Sequence, residues 1–208
     1  MFLMVALAKR RLYFRIVPRP VLDRDYRDIP RFRELCLLCP NYGQRWSCPD
    51  FTQDLSDYLV PYAQVLLVAC QFHFDQASKD KYPGQAARAL LDSFAKEKKD
   101  EILGLMLRLE REYPAALALS AGTCSLCETC GKADGQPCRN PLSLRYSLEA
   151  LGYDISLILK DFFALELCWS DGSLPDYLTL CMGLAGNDRE VLLSAAHSLE
   201  QSWTAHRQ

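Results

Sequence analysis

Ten of the 208 residues are cysteine. Seven of them fall in two tight groups. The stretch "CLLCPNYGQRWSCPDF", residues 36–51, carries Cys36, Cys39 and Cys48 in a C-x₂-C-x₈-C spacing. The stretch "AGTCSLCETCGKADGQPCRNP", residues 121–141, carries Cys124, Cys127 and Cys130 at every third position, and then Cys138. Thiols crowded in this way point to metal or redox chemistry in a reducing compartment. A C-x₂-C-x₂-C run offers three thiolates from one loop to the corners of an iron–sulfur cubane, and a fourth cysteine followed by proline completes the bacterial ferredoxin pattern. This chain matches the triple and then departs from the pattern. Seven residues, "GKADGQP", separate Cys130 from Cys138, and proline follows only at Pro141. The polar, Gly-containing connection is expected to bring Cys138 back to the same site.

In the first loop Cys39 and Cys48 each precede a proline, which restricts the backbone beside the sulfur and removes an amide donor there. Three thiols leave one position of a cluster open. Its candidates are Cys70, a cysteine of the second loop, a non-cysteine ligand or an exchangeable molecule. Tyr42 and Trp46 would cover such a cluster, and Arg45 and backbone amides would donate to its sulfurs. Zinc is the rival, because two C-x₂-C pairs make a four-thiolate tetrahedron. Zinc sites usually draw on pairs rather than a triple at three-residue steps, so the spacing favours one or two [4Fe-4S] clusters. Free structural thiols or disulfides are the third reading.

The elements that must position these loops follow from periodicity. "RLYFRIV", 11–17, alternates and reads as a strand ended by Pro18 and Pro20. A short helix around "IPRFREL" delivers Cys36. "AQVLLVACQFHF", 63–74, reads as a buried strand. From Gly84 to Glu112, Leu91, Phe94, Lys98, Ile102, Leu105 and Leu109 recur at helical steps. "ALALSA", 116–121, is a strand running into the second cysteine loop. Residues 140–162 read as one or two helices with a break at Gly152. "FALELCW" and "DYLTLCMGL" read as a hairpin joined by "SDGSLP", and a closing amphipathic helix follows. The expected fold is α/β or α+β: a single domain with one mixed sheet, helices packed on it and two cysteine-rich metal loops. Its expected extent is 1–185, with 186–208 a C-terminal helix packed on the same domain. Both cysteine loops adjoin strands and would meet at one edge.

The formal net charge of −2 provides no global field for nucleic acid or a membrane surface. The first 34 residues interleave arginines with aromatics, but Asp23, Asp25 and Asp28 dilute that charge. The opening "MFLMVALAKRR" has its apolar run before its basic residues, the reverse of a secretory signal, and is too short to span a bilayer. It reads as the start of the domain or a buried strand. A cytoplasmic protein is expected, with no nucleic acid and no membrane as partner and the oligomeric state open.

Three motifs carry a resemblance. "CPNYGQRWSCP", "LEREYPAALALSAGTCSLCETC" and "CRNPLSLRYSLEALGYDI", in this order, resemble a prokaryotic family of predicted metal-binding proteins of unknown function, frequent in anaerobes and methanogens. In that family's pattern the last stretch reads Arg-x-Ser-Met-Glu-Ala-x-Gly-Ile-Asp. Here Leu148 replaces the methionine and Tyr153 the isoleucine. The resemblance covers residues 34–165 and implies metal binding by the seven clustered cysteines. It implies no particular reaction.

The other candidates read as packing. Cys70, Cys168 and Cys181 lie on strand-like segments and suit a core. His73 sits among aromatics, and His197 and His206 have no partner nearby in sequence. Arg139, Asn140, Arg145, Ser147 and Glu149 follow Cys138 directly. They read either as a helix start capped by Ser143, or as a place where Arg139 and Arg145 hold an anionic substrate or an acidic redox partner. There is no Gly-x-Ser-x-Gly elbow, phosphate loop, dinucleotide fingerprint or Cys-x₃-Cys-x₂-Cys run. The expected function is an iron–sulfur protein with an electron-transfer or redox accessory role. Its alternatives are a non-catalytic zinc-binding module for protein interaction and an enzyme using an open cluster iron.

Overall fold

The computed structural model describes residues 7–48 and 55–205. The apolar run 1–6, Pro49 and His206 lie outside them. Strand β1 spans Leu7–Pro18, helix α1 Arg19–Asp25, α2 Ile29–Leu37, β2 Gln64–Phe74, α3 Gln76–Lys81 and α4 Gln85–Glu112. After β3, Leu117–Leu119, come α5, Ile155–Phe163, β4, Tyr177–Gly186, and α6, Arg189–Ala205. Two single 3₁₀ turns, Gly131–Asp134 and Glu149–Leu151, punctuate the long connection between β3 and α5.

The fold is α+β, built on one four-stranded sheet in the order β1-β2-β4-β3. Every ladder is antiparallel, so the sheet is not mixed. β2 and β3 do run in the same direction, but β4 inserts between them and opposes both. A helix crossover with a third strand slipped between its two strands needs no parallel hydrogen bonds.

β2 reads as a continuous apolar run because it is central and covered on both faces. Leu66, Val68, Cys70, Phe72 and Phe74 face a core that includes Phe94, Ile102 and Met106 of α4 and Leu192, Leu199 and Trp203 of α6. Val65, Leu67 and Ala69 face the opposite core, with Leu22 of α1, Leu148, Tyr153 and Ile158. The closing helix therefore shares the core of the sheet. β1 is an edge strand whose Lys9, Arg10, Arg11 and Arg15 discourage further pairing.

Three expectations change. Residues 140–154 form no α-helix, only the 3₁₀ turn Glu149–Leu151, so Ser143 caps none. The helix begins at Ile155, where Asp154 accepts a hydrogen bond from the Leu157 amide at 3.0 Å. Upstream, the chain is tied instead by single bridges, Ser120 to Ser147 and Arg27 to Tyr153. "FALELCW" is no strand. Leu165 and Leu167 pack on the second core, but the segment joins no ladder. The "SDGSLP" turn closes on itself, with Ser170 Oγ donating to the Ser173 carbonyl at 2.7 Å. Alternation thus placed one face on the core without a backbone partner. The third strand is also shorter than "ALALSA", because β4 offers it only Gly183–Ala185. The Leu148 and Tyr153 departures both fit the core, Leu148 as a fully buried side chain. The Tyr153 hydroxyl donates to Asp23 Oδ1 at 2.5 Å.

Candidate metal centre

α2 delivers Cys36. Its N-terminus is capped by Asp28, which accepts from the Arg31 amide at 3.1 Å, and Pro30 starts its first turn. The chain then winds through consecutive tight turns. The Cys39 amide donates to the Cys36 carbonyl at 2.9 Å, the Tyr42 amide to Cys39 at 3.0 Å, and the Cys48 amide to Arg45 at 2.9 Å. These turns keep Cys36, Cys39 and Cys48 near one another. Burial pushes the Cys36 thiol up, and the neighbouring Cys39 and Cys48 add to the effect.

The second loop leaves β3 and passes Gly122 at φ 55°. Between Cys130 and Cys138 lies a single 3₁₀ turn that ends in left-handed Gly135 at φ 66°. The Gln136 amide donates back to the Gly131 carbonyl at 2.8 Å. A Cβ on Gly131 would stand 3.1 Å from both Gln136 Cβ and the Pro137 carbonyl oxygen, so glycine lets the chain close on itself. The long spacer is thus a compact turn, and it returns Cys138 to its loop. Cys124, Cys127, Cys130 and Cys138 all line one narrow cavity. Among the described residues, no three His, Cys, Asp or Glu side chains gather as a single ion would require. The four cysteines share the lining of a cavity of about 10 Å³ without meeting at a point.

The two cysteine loops lie together. The Cys124 amide donates to buried Ser47 Oγ at 2.8 Å, and the Cys48 thiol donates to Thr123 Oγ1 at 3.2 Å. Arg45 Nη1 donates to the carbonyls of Cys124 at 3.2 Å and Cys127 at 3.5 Å. Trp46 Nε1 donates to the Gln136 carbonyl at 3.1 Å, and Lys132 sits 5.1 Å over the Trp46 ring. Trp46 and Arg45 therefore clasp the second loop from the first.

Donors also reach the sulfurs. Asn140 Nδ2 stands 3.1 Å from Cys127 Sγ, and its amide 3.4 Å from Cys138 Sγ. Lys99 of α4, 9% exposed, donates to the Thr123 carbonyl. Burial pulls its ammonium below the ordinary range. A donor set of thiols with N–H groups aimed at sulfur and cations alongside fits a sulfur-ligated, negatively charged centre. Lys99 is the residue that periodicity misassigned. The helical pattern uses Lys98, which lies half-buried against Glu97 and Glu101. Lys99 is three and seven positions before Ile102 and Met106, and that places it on the buried stripe.

The remaining candidates resolve as packing or surface. Cys70 is fully buried beside Val68 and Phe72, which withdraws it as the missing ligand of the first loop. Cys181 is buried on β4, and Cys168 is half-buried on the irregular segment before it. His73 bonds to Gln71 at 2.7 Å and lies 5.3 Å from the Tyr177 ring. His197 is exposed on α6. Arg145 is engaged by Glu110 of α4, with Nε donating to Oε2 at 2.8 Å. Arg139 is exposed beside Cys138. Among the described residues, no helix is long and apolar enough to cross a membrane.

No curated protein and no solved structure matches the chain. The model of one family, described as predicted metal-binding protein (DUF2284), matches residues 24–179. This span takes in all seven clustered cysteines and ends within β4, leaving α6 outside. The chain belongs to that family of predicted metal-binding proteins.

Proposed function

We propose that this chain is an iron–sulfur protein with an electron-transfer or redox accessory role. Cys124, Cys127, Cys130 and Cys138 ligate a [4Fe-4S] cluster, and Cys36, Cys39 and Cys48 contribute to a second. The observation that carries the reading is the set of four thiols lining one cavity while Asn140 directs two N–H groups at two of their sulfurs. A cubane takes one thiolate at each iron, so its ligands surround a space. A bound cluster supplies one-electron chemistry. The chain's own residues exclude water with Trp46, lower the electron density on sulfur through Asn140, and offset thiolate charge with Arg45 and Lys99.

Full-length protein purified without oxygen tests this directly. Iron and acid-labile sulfide in equal amounts, about four of each per cluster, with broad absorption near the visible–ultraviolet edge, are expected. Stoichiometric zinc without sulfide would overturn the proposal and favour the zinc module.

A further inference from the structure

A larger cleft lies beside the cysteine loops, and the ligation of metal does not account for it. β3 pairs with Gly183–Ala185 alone, so among the described residues the half of β4 from Tyr177 to Cys181 has no strand on that side. The segment 165–170, which alternates like a strand, does not fill the gap. What remains is a cleft of about 850 Å³ between α4, this free half of β4 and the start of the second cysteine loop. That volume falls within the range of small-molecule sites. Leu91 and Ala95 of α4 and Leu178 and Leu180 of β4 make its apolar wall.

Three buried side-chain oxygens among the described residues have no hydrogen-bond partner, and two of them, Glu149 Oε2 and Thr179 Oγ1, belong to residues lining this cleft. Leaving such a group unpaired carries its full desolvation cost, and native proteins rarely do so without a reason. Both lie on the face of β4 opposite Leu178 and Leu180, and the cleft reaches both faces around the strand's free edge. Thr179 shares its face of β4 with Cys181, which belongs to the core that also holds Leu148 and Leu151 on either side of Glu149. The cations at the other end, buried Lys99 and half-buried Arg45, are already engaged, since they direct donors at carbonyls of the cysteine loop. The donors that already reach the Glu149 carboxyl, the Ser147 hydroxyl and the Gly122 amide, are neutral, and burial pushes that carboxyl up. What it lacks is a charged or further donor, which the Thr179 hydroxyl can also accept from. We propose that this cleft binds a small organic molecule with an apolar body and a hydrogen-bond-donating head, an ammonium or hydroxyl group, received by Glu149 and Thr179. The proposal holds whichever metal the cysteine loops take.

The test titrates full-length, oxygen-free protein with hexylammonium chloride, 1-hexanol and sodium hexanoate, read by saturation-transfer NMR. Hexylammonium and hexanol are expected to bind, and hexanoate about tenfold more weakly or not at all. Glu149→Gln should weaken hexylammonium by about tenfold, the loss of one charge-assisted bond. Thr179→Val keeps the side-chain shape and should weaken both donor probes. Metal content and thermal midpoint are measured on every sample, so failure of the metal reading and failure of the cleft read out separately. No saturable binding of either donor probe, equal binding of hexanoate, or unchanged affinity in both variants would each overturn the proposal.

Discussion

Asn140 is the residue through which the fold acts most directly on sulfur. Its side-chain amide meets Cys127 Sγ at 3.1 Å, and a donor at that place stabilises the more electron-rich state of a cluster. With the proposed cluster bound, Asn140→Leu is therefore expected to shift the reduction potential to more negative values by voltammetry, with iron content retained. The ten cysteines also divide by chemistry. Burial pushes the thiols of Cys70 and Cys181 well above their ordinary value. In native protein treated with iodoacetamide and read by mass spectrometry, both should stay unmodified, while exposed Cys39 of metal-free protein is alkylated first. The same two thiols set a pH dependence. Below the ordinary thiol value of 9.0 they are protonated in both folded and unfolded chains, and their contribution to stability is complete. Above it the unfolded chain ionises first, so stability falls as pH rises. Tyr58, pushed up to about 12 by burial, extends the fall. Urea midpoints measured at about pH 7.5 and about pH 10 should show this decline, and Cys70→Ala/Cys181→Ala should flatten it.

Short elements hold the loops in place through a few joints. Gly152 has φ 88°, and a Cβ there would stand 3.0 Å from Ile29 Cγ1 at the start of α2, the helix that carries Cys36. Gly152→Ala should cost about 1–3 kcal/mol, as left-handed strain and contact add, seen as a lower thermal midpoint. Glu110 joins α4 to both β3 and the segment after Cys138. It accepts from the Ala118 amide at 2.7 Å and pairs with Arg145. Glu110→Ala removes the acceptor of Arg145 Nε and of the buried Ala118 amide, while Nη1 keeps the Leu142 and Leu144 carbonyls, and is expected to destabilise by about 1–3 kcal/mol in chemical denaturation. The long helix, its start near Gly84 and the central strand were all readable in the sequence, because each carries a long, regular apolar pattern. The segment 140–154 was not. Its leucines and Glu149 suit a helix, but single bridges to Ser120 and Arg27 offer its backbone other partners. The alternation of "FALELCW" likewise reported a buried face and said nothing of a neighbouring strand.

At the scale of the molecule, the sheet with its two cores is self-supporting, while the cysteine loops are irregular chain clasped by a few side chains. Removing metal with a chelator should therefore leave far-ultraviolet circular dichroism nearly unchanged. Hydrogen exchange over 36–48 and 122–140 should speed up, because much of the order in such loops derives from the bound metal. The family match, residues 24–179, extends beyond the resemblance carried by residues 34–165 and stops short of α6. Sequence alone established that seven thiols lie in two spaced groups, that metal is their business, and that strands and one long helix flank them. Those facts are local, written in spacing and periodicity. Only the tertiary structure decided that β4 slips between β2 and β3, that the two loops meet through Ser47, Arg45 and Trp46, that Lys99 rather than Lys98 is buried beside them, and that a cleft opens along β4. Each of these depends on which distant segments share a core, and pairings between segments far apart in the chain leave no periodic trace in either one.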